Sequence, residues 1–281
     1  MCVRLPNPKV TYGQTMKRLA VQDILNRKAK EHTKITALTA YDFPFARLVD
    51  QAGIDIVLVG DSVGMVCLGY ETTSSVVMNE MIHHAKAVKR ALRHALCVVD
   101  MPYGSYDDPA TAVENAKRLV HEGGADAVKP EGGKRIARQI GAMIKEGIQV
   151  MGHLGMTPQS VSKLGGYKVQ GKTEQEGAQI TSDAKTLEGL GVFSIVLECI
   201  PHSLGKHITE SLRIPTIGIG AGPDTDGQVL VIHDLLGFQS SVHPRFVRRY
   251  ADLDQMIRSA VSRYRDDVMS GAYPSMKESF S

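Results

Sequence analysis

Three apolar runs in this chain end in an acid: Ile56-Val-Leu-Val-Gly-Asp61, Leu96-Cys-Val-Val-Asp100 and Ser194-Ile-Val-Leu-Glu198. A further run, Ala125 to Lys129, is followed two residues later by Glu131. A lone Asp after a strand is commonly the N-cap of the next helix. Several acids leaving neighbouring strands are a different matter, because carboxylates gathered at one point repel unless a cation neutralises them. Asp61, Asp100 and Glu131 could face such a point, and ligands that are all oxygen, with no Cys or His cluster, suit a hard ion such as Mg²⁺. Glu198 ends a strand that offers no second acid, which suits a base better than a ligand. Lys129 is either a solvated surface cation or, as the last residue of its strand, a contact for an anionic substrate group. His153 reads equally well as a hydrogen-bonded core histidine or as a site residue. Cys199 invites a nucleophile reading, but no histidine lies at a helpful offset and buried cysteines are usually inert.

These side chains need elements that hold them. Four or five aliphatic residues in a row suit strands of a parallel sheet covered on both faces, and the carboxyl edge of such a sheet is where sites are built. Strands are expected at Ile35 to Thr39, Ile56 to Val59, Leu96 to Val99, Ala125 to Lys129, Gln149 to Met151, Ser194 to Leu197 and Pro215 to Ile219. Helical spacing appears between them at Asn79 to His94, Asp108 to Glu122, Lys134 to Glu146 and Thr181 to Leu190, with Gly53, Gly123, Gly147 and Gly191 placed as left-handed caps. Repeated strand and helix units favour an α/β fold of the (β/α)8 TIM-barrel type over a doubly wound open sheet. The eighth strand falls either at Val229 to Ile232 or near Phe238, and a last helix runs from Asp252 to about Met269. The domain reading is an N-terminal extension, 1–25, and a single barrel domain, 26–281, that includes the C-terminal helices.

Composition narrows the function. With 281 residues, 43% apolar and 22% charged, the chain is an ordinary globular protein. A net charge of +3, with basic residues spread along the chain, argues against nucleic-acid binding. Cys2, Cys67, Cys97 and Cys199 form no CxxC pair, which fits a reducing cytosol and a cytoplasmic protein. No stretch approaches the roughly 18 apolar residues of a membrane helix, so no membrane partner is expected. The first 22 residues carry Arg4, Lys9, Lys17 and Arg18 and no acid, but Pro6, Pro8 and Gly13 spoil an amphipathic transit helix.

Two glycine motifs are false signals. Gly166-Tyr-Lys-Val-Gln-Gly171-Lys172-Thr173 matches the phosphate-cradling G-x-x-x-x-G-K-[ST] pattern, but that loop works only between a strand and a helix, and no buried strand directly precedes it. Gly218-Ile-Gly220-Ala-Gly222-Pro223 puts proline where the dinucleotide fingerprint needs Gly or Ala.

Taken in order, VGDSVGM, VDMPYGSY, KPEGG, GHLGMTPQS, GGYKVQGKT, LECIP and IGIGAGPDTDGQ resemble the ketopantoate hydroxymethyltransferase family, over about Thr36 to Pro274. The resemblance implies a barrel similar to the phosphoenolpyruvate mutase and isocitrate lyase group, with Mg²⁺ as cofactor and 5,10-methylenetetrahydrofolate as co-substrate. It implies transfer of a hydroxymethyl group to 3-methyl-2-oxobutanoate. It carries metal ligation to Asp61 and Asp100, with Glu131 near the ion, and substrate contact to Asp61, Ser62, Asp100 and Lys129. His153 falls on an active-site histidine and Glu198 on the proton acceptor. Pro130 stands where the family often has Ile. A homo-oligomer, a decamer, is implied as well, and the segment Gly165 to Thr173 is expected to act as a lid. The rival readings are another Mg-dependent enzyme making or breaking carbon–carbon bonds in a 2-oxo acid, a nucleotide-hydrolysing loop protein, and a non-catalytic scaffold.

Overall fold

Alternate residues of eight short strands fill the interior of a nearly closed parallel barrel in the computed structural model, which describes residues 17–160, 166, 168–238 and 244–280. The strands are β1 (Ile35–Thr39), β2 (Ile56–Val59), β3 (Leu96–Asp100), β4 (Ala127–Lys129), β5 (Met151–Gly155), β6 (Ser194–Glu198), β7 (Thr216–Ile219) and β8 (Gly227–Leu230). Every neighbouring pair runs parallel, and the order places β1 beside β8. The β4 and β5 segments meet through two isolated bridges, Val128 to Val150 and Gly132 to His153, with Val128 N–H donating to Gln149 O at 3.0 Å and Gly132 N–H to His153 O at 3.1 Å. β8 overlaps the first of the two stretches expected for it.

Period two explains the packing. Ile35 and Ala37, Ile56 and Leu58, Leu96 and Val98, then Met151, Val196, Ile217 and Val229 point inward as one apolar cluster. The residues between them, such as Val57, Val59, Cys97 and Val99, are equally buried, which is why these strands read as continuous apolar runs. Helix α1 (Val21–Asn26) adds Ile24 to the same cluster, a burial that stabilises by about 1.5–3 kcal/mol. The next helices are α2 (Phe43–Gln51), α3 (Val63–Val66), α4 (Met78–Ala91), α5 (Pro109–His121), α6 (Ala137–Lys145), α7 (Glu174–Leu190) and α8 (His202–Ser211).

Three expectations need correction. β5 is Met151–Gly155 and not Gln149 to Met151, because Gly152, which reads as a breaker, is a strand residue against which α7 packs: a Cβ there would lie 2.8 Å from Leu187 Cδ1. α7 begins at Glu174, seven residues before the expected Thr181, on a capping box in which Thr173 Oγ1 accepts Glu176 N–H at 3.2 Å. The left-handed cap after α5 is Gly124 and not Gly123.

Two compact units are present, one ending at Leu230 and holding the barrel, the other Val231–Ser281. The second contains α9 (Ile232–Leu235) and α10 (Leu253–Ser270). Asp252 caps α10 by accepting Gln255 N–H at 3.3 Å, and Gly271 ends it in the left-handed conformation. Among the described residues no helix is long and apolar enough to cross a membrane.

Candidate active site

Five consecutive strands, β2 to β6, deliver the candidate residues at their carboxyl ends. Asp61 and Ser62 follow β2, Asp100 closes β3 opposite Lys129 at the end of β4, Glu131 lies two residues on, His153 is the middle residue of β5, and Glu198 closes β6. Asp61, Asp100, Lys129, Glu131 and His153 are all buried, whereas the Glu198 side chain keeps 14% of its surface exposed. β5 ends where it does because Gly155 has a positive φ of 94° and a Cβ there would lie 2.2 Å from Glu198 O.

The contacts form one network. Lys129 Nζ is 2.8 Å from Asp100 Oδ1, and Asp61 N–H donates to Asp100 Oδ2 at 3.1 Å. His153 lies between two acids, with Nδ1 3.4 Å from Glu131 Oε1 and Nε2 3.1 Å from Glu198 Oε2. The Ser62 hydroxyl is 2.8 Å from the Tyr41 hydroxyl, which follows β1. All seven candidates are therefore brought to one edge of the barrel.

Burial, together with the charges of Asp100 and Glu131, holds the Asp61 carboxyl well above the usual carboxylate range. Burial also raises Asp100, tempered by Lys129. For Lys129 burial opposes the charge, but Asp100, Glu131 and Asp61 outweigh it and hold the ammonium above its ordinary value. Burial and Lys129 likewise oppose protonation of His153, yet its hydrogen bonds to Glu131 and Glu198 prevail and push it up to about 9. Lys129 Nζ also lies 3.2 Å from Nδ1, close enough to donate to it when that nitrogen carries no proton.

Charge and donor chemistry fit a divalent hard cation. Asp61, Asp100, Glu131 and Glu198 bring four carboxyl groups together around Lys129 and His153, and the raised Asp61 carboxyl reflects a repulsion that a further cation would relieve. Asp100 Oδ1 is buried without an aligned hydrogen bond despite the nearby ammonium. Among the described residues no group of three or more His, Cys, Asp or Glu side chains is placed to hold a metal ion. Mg²⁺ can be held by one or two carboxylates when water and substrate supply the rest. Both Glu131 oxygens are already engaged, Oε1 by His153 and Oε2 by Gln159 N–H at 3.0 Å.

Residues 18–276 match the family model described as ketopantoate hydroxymethyltransferase. The chain belongs to that family. Curated relatives named 3-methyl-2-oxobutanoate hydroxymethyltransferase include those of Thermoanaerobacter sp. (strain X514), 52% identical over 91% of this chain and 94% of the relative, and Syntrophotalea carbinolica, 54% identical over 94% and 99%. The relative from Moorella thermoacetica is 54% identical over 88% of this chain and 92% of its own. Among solved structures, a phosphoenolpyruvate phosphomutase from Streptomyces platensis superposes with a TM-score of 0.61 at 12% identity, covering 90% of this chain and 88% of its own. A 2,3-dimethylmalate lyase of the PEP mutase/isocitrate lyase superfamily gives 0.58 at 14%, covering 92% and 91%. At such identities these likenesses speak for the barrel alone, and they agree with the architecture expected for the family.

Two residues escaped the sequence reading. Gln159, in the turn Pro158–Ser160 after β5, donates from Nε2 to Asp61 Oδ2 at 2.8 Å and to Met101 O at 2.9 Å. Its orientation is fixed by Tyr106, whose hydroxyl donates to Gln159 Oε1 and accepts Glu131 N–H at 3.2 Å. Burial raises the Tyr106 phenol, so it stays a donor. The only sequence signal was their place inside the GHLGMTPQS and VDMPYGSY blocks.

The residues set aside stay outside the chemistry. Burial pushes the Cys199 thiol up to about 11, and its backbone is left-handed with φ 47°. The false phosphate motif ends as a helix cap, in which Glu176 Oε2 accepts the N–H groups of Lys172 and Thr173 at 2.9 and 3.2 Å. Of the expected lid, Gly165 and Tyr167 lie outside the described residues, as do 161–164 before it.

Proposed function

We propose that this chain transfers a hydroxymethyl group from 5,10-methylenetetrahydrofolate to 3-methyl-2-oxobutanoate, giving 2-dehydropantoate and tetrahydrofolate. The observation that carries the proposal is the buried, acid-rich cluster of Asp61, Asp100, Glu131, His153 and Glu198 around Lys129, in a chain of this family. Asp61 and Asp100, with Glu131 beside them, would hold Mg²⁺, which when bound supplies a Lewis acid for the keto acid. Lys129 keeps its charge in the buried site and balances the substrate carboxylate. Ser62, steadied by Tyr41, offers a hydroxyl beside that position.

Glu198 takes the proton from C3 of the keto acid, and protonated His153, 3.1 Å away, orients its carboxylate. Water adds to the donor's methylene carbon as its carbon–nitrogen bonds break, the electron pair left at C3 forms the bond to that carbon, and the proton taken from C3 and one proton of the water end on the two folate nitrogens. Asp100, Lys129 and His153 are held by contacts present before substrate arrives, so the site is preorganised for charge developing on the keto acid. We place the reaction in the cytosol, in a homo-oligomer that we expect to be a decamer, with small-molecule partners only.

The test is a product assay with the purified chain, both substrates and Mg²⁺, read by mass spectrometry and by folate absorbance. Equal amounts of 2-dehydropantoate and tetrahydrofolate, abolished by EDTA and restored by Mg²⁺, are expected. No product under complete conditions would overturn the assignment.

A further inference from the structure

We propose that Gln159 is a positioning residue that fixes Asp61 for the metal ion, an inference that rests on Asp61 holding Mg²⁺ as the proposed reaction requires. Gln159 and Tyr106 are only 5% and 8% exposed, so their polar atoms depend on protein partners. The direction of every bond between them follows from one proton. Tyr106 Oη accepts Glu131 N–H at 3.2 Å, so its single proton must go elsewhere, and Gln159 Oε1 is well within reach whereas Glu131 O is 3.5 Å away. With Oε1 marked as the acceptor, Nε2 donates one hydrogen to Asp61 Oδ2 at 2.8 Å and the other to Met101 O at 2.9 Å. A flipped amide would set its carbonyl against a carboxyl and a second carbonyl, and would lose all three bonds.

The amide therefore holds one Asp61 oxygen in a fixed direction before any ion arrives and leaves Oδ1 to meet it. Mg²⁺ tolerates little departure from octahedral geometry, so a ligand already oriented binds it with less ordering to do. The other arm of Gln159 is backbone. Its N–H donates to Glu131 Oε2 at 3.0 Å, Glu131 Oε1 lies 3.4 Å from His153 Nδ1, and His153 Nε2 lies 3.1 Å from Glu198 Oε2. One residue thus joins the metal end of the site to the base end, the first through its side chain and the second through its main chain. A side-chain substitution cuts the first link and spares the second. The base end should then keep its geometry while the ion is held less well, a split that a merely structural role would not give.

The test compares wild type with Gln159→Met, which keeps the length of the side chain and removes its donors, with Tyr106→Phe and with the double variant. Mn²⁺ suits the same kind of oxygen site as Mg²⁺, and its binding to the full chain is read from the loss of the free-ion EPR signal. Turnover is measured in parallel against Mg²⁺ concentration. Gln159→Met should bind Mn²⁺ about tenfold to a hundredfold more weakly and need proportionately more Mg²⁺ for half-maximal turnover, with kcat at saturating Mg²⁺ within about fivefold of wild type. Tyr106→Phe should weaken Mn²⁺ binding about threefold alone and by less in the Gln159→Met background, because it acts through the amide. If Gln159→Met does not fold, the Tyr106→Phe result alone decides. Unchanged Mn²⁺ affinity in the variants overturns the role of Gln159 and leaves the metal site and the reaction standing. A kcat that falls as far as the affinity also overturns it. A wild type that binds no Mn²⁺ overturns the metal reading, and this inference with it.

Discussion

At the amino edge of the barrel an aspartate stands just before each of three strands, and each is fully engaged. Asp55 Oδ2 accepts Thr36 N–H at 2.8 Å while its Oδ1 meets Arg27 at 2.7 Å. Asp126 accepts Cys97 N–H at 2.9 Å and pairs with Arg18 and Lys89, and Asp226 accepts Thr216 N–H at 2.9 Å and pairs with Lys28. Three acids there meet four cations. The carboxyl edge reverses the balance, with four acids against Lys129 and His153, and burial leaves Asp61 well above its ordinary range. The same residue types thus tie strands together at one edge and, at the other, store charge that only a ligand relieves. The fold tolerates the second edge because Lys129, His153 and Gln159 hold it part-way to neutrality.

The largest effect should come from removing the central cation. Lys129→Met leaves Asp61, Asp100 and Glu131 buried without their ammonium and should cost about 3–5 kcal/mol in denaturant unfolding. A loss below about 1 kcal/mol would mean that the acids are neutral already. At the opposite edge Asp55→Ala removes the Arg27 pair and two bonds from Thr36, and should cost about 2–4 kcal/mol with turnover per folded molecule unchanged. An effect on turnover without one on stability would break the contrast between the edges.

A smaller change of opposite sign is expected for Asp61→Asn. Because the folded state holds that carboxyl above its ordinary range, the neutral amide should raise the unfolding midpoint in EDTA while abolishing the stabilisation that Mg²⁺ gives wild type. A lower midpoint would show that the ionised group is already well compensated.

A pH dependence in EDTA is expected as well. His153 titrates at about 9 when folded, against about 6.5 unfolded. A value raised by folding adds stability that is complete below about pH 6.5 and fades as pH rises through about 9. The stability gap between wild type and His153→Gln should therefore narrow over that window. A gap that widens would assign His153 the neutral form.

Much of this was legible in the sequence where side chains follow an uninterrupted apolar run. Asp61, Asp100 and Glu198 stood out because β2, β3 and β6 are buried on both faces and lack glycine. His153 was harder, since Gly152 and Gly155 disguise β5, and those glycines exist for contacts with Leu187 and Glu198 that are remote in sequence. Gln159 and Tyr106 were missed because neutral polar residues announce nothing by type, and their bonds to Asp61 and to each other join positions 98 and 53 residues apart. The amino-edge aspartates were equally visible, one residue before the strands that begin at Ile56, Ala127 and Gly227, yet a search for chemistry looks only after a strand.

The decisive measurement is Mg²⁺-dependent exchange of the C3 proton of 3-methyl-2-oxobutanoate in D₂O, without folate, followed by NMR in wild type and Glu198→Gln. A general base contributes about 10²–10⁴ in rate, so wild type should exchange with Mg²⁺ and the variant should lose at least a hundredfold while still binding the keto acid. Normal exchange in Glu198→Gln would contradict the role given to this carboxylate and hand it to His153.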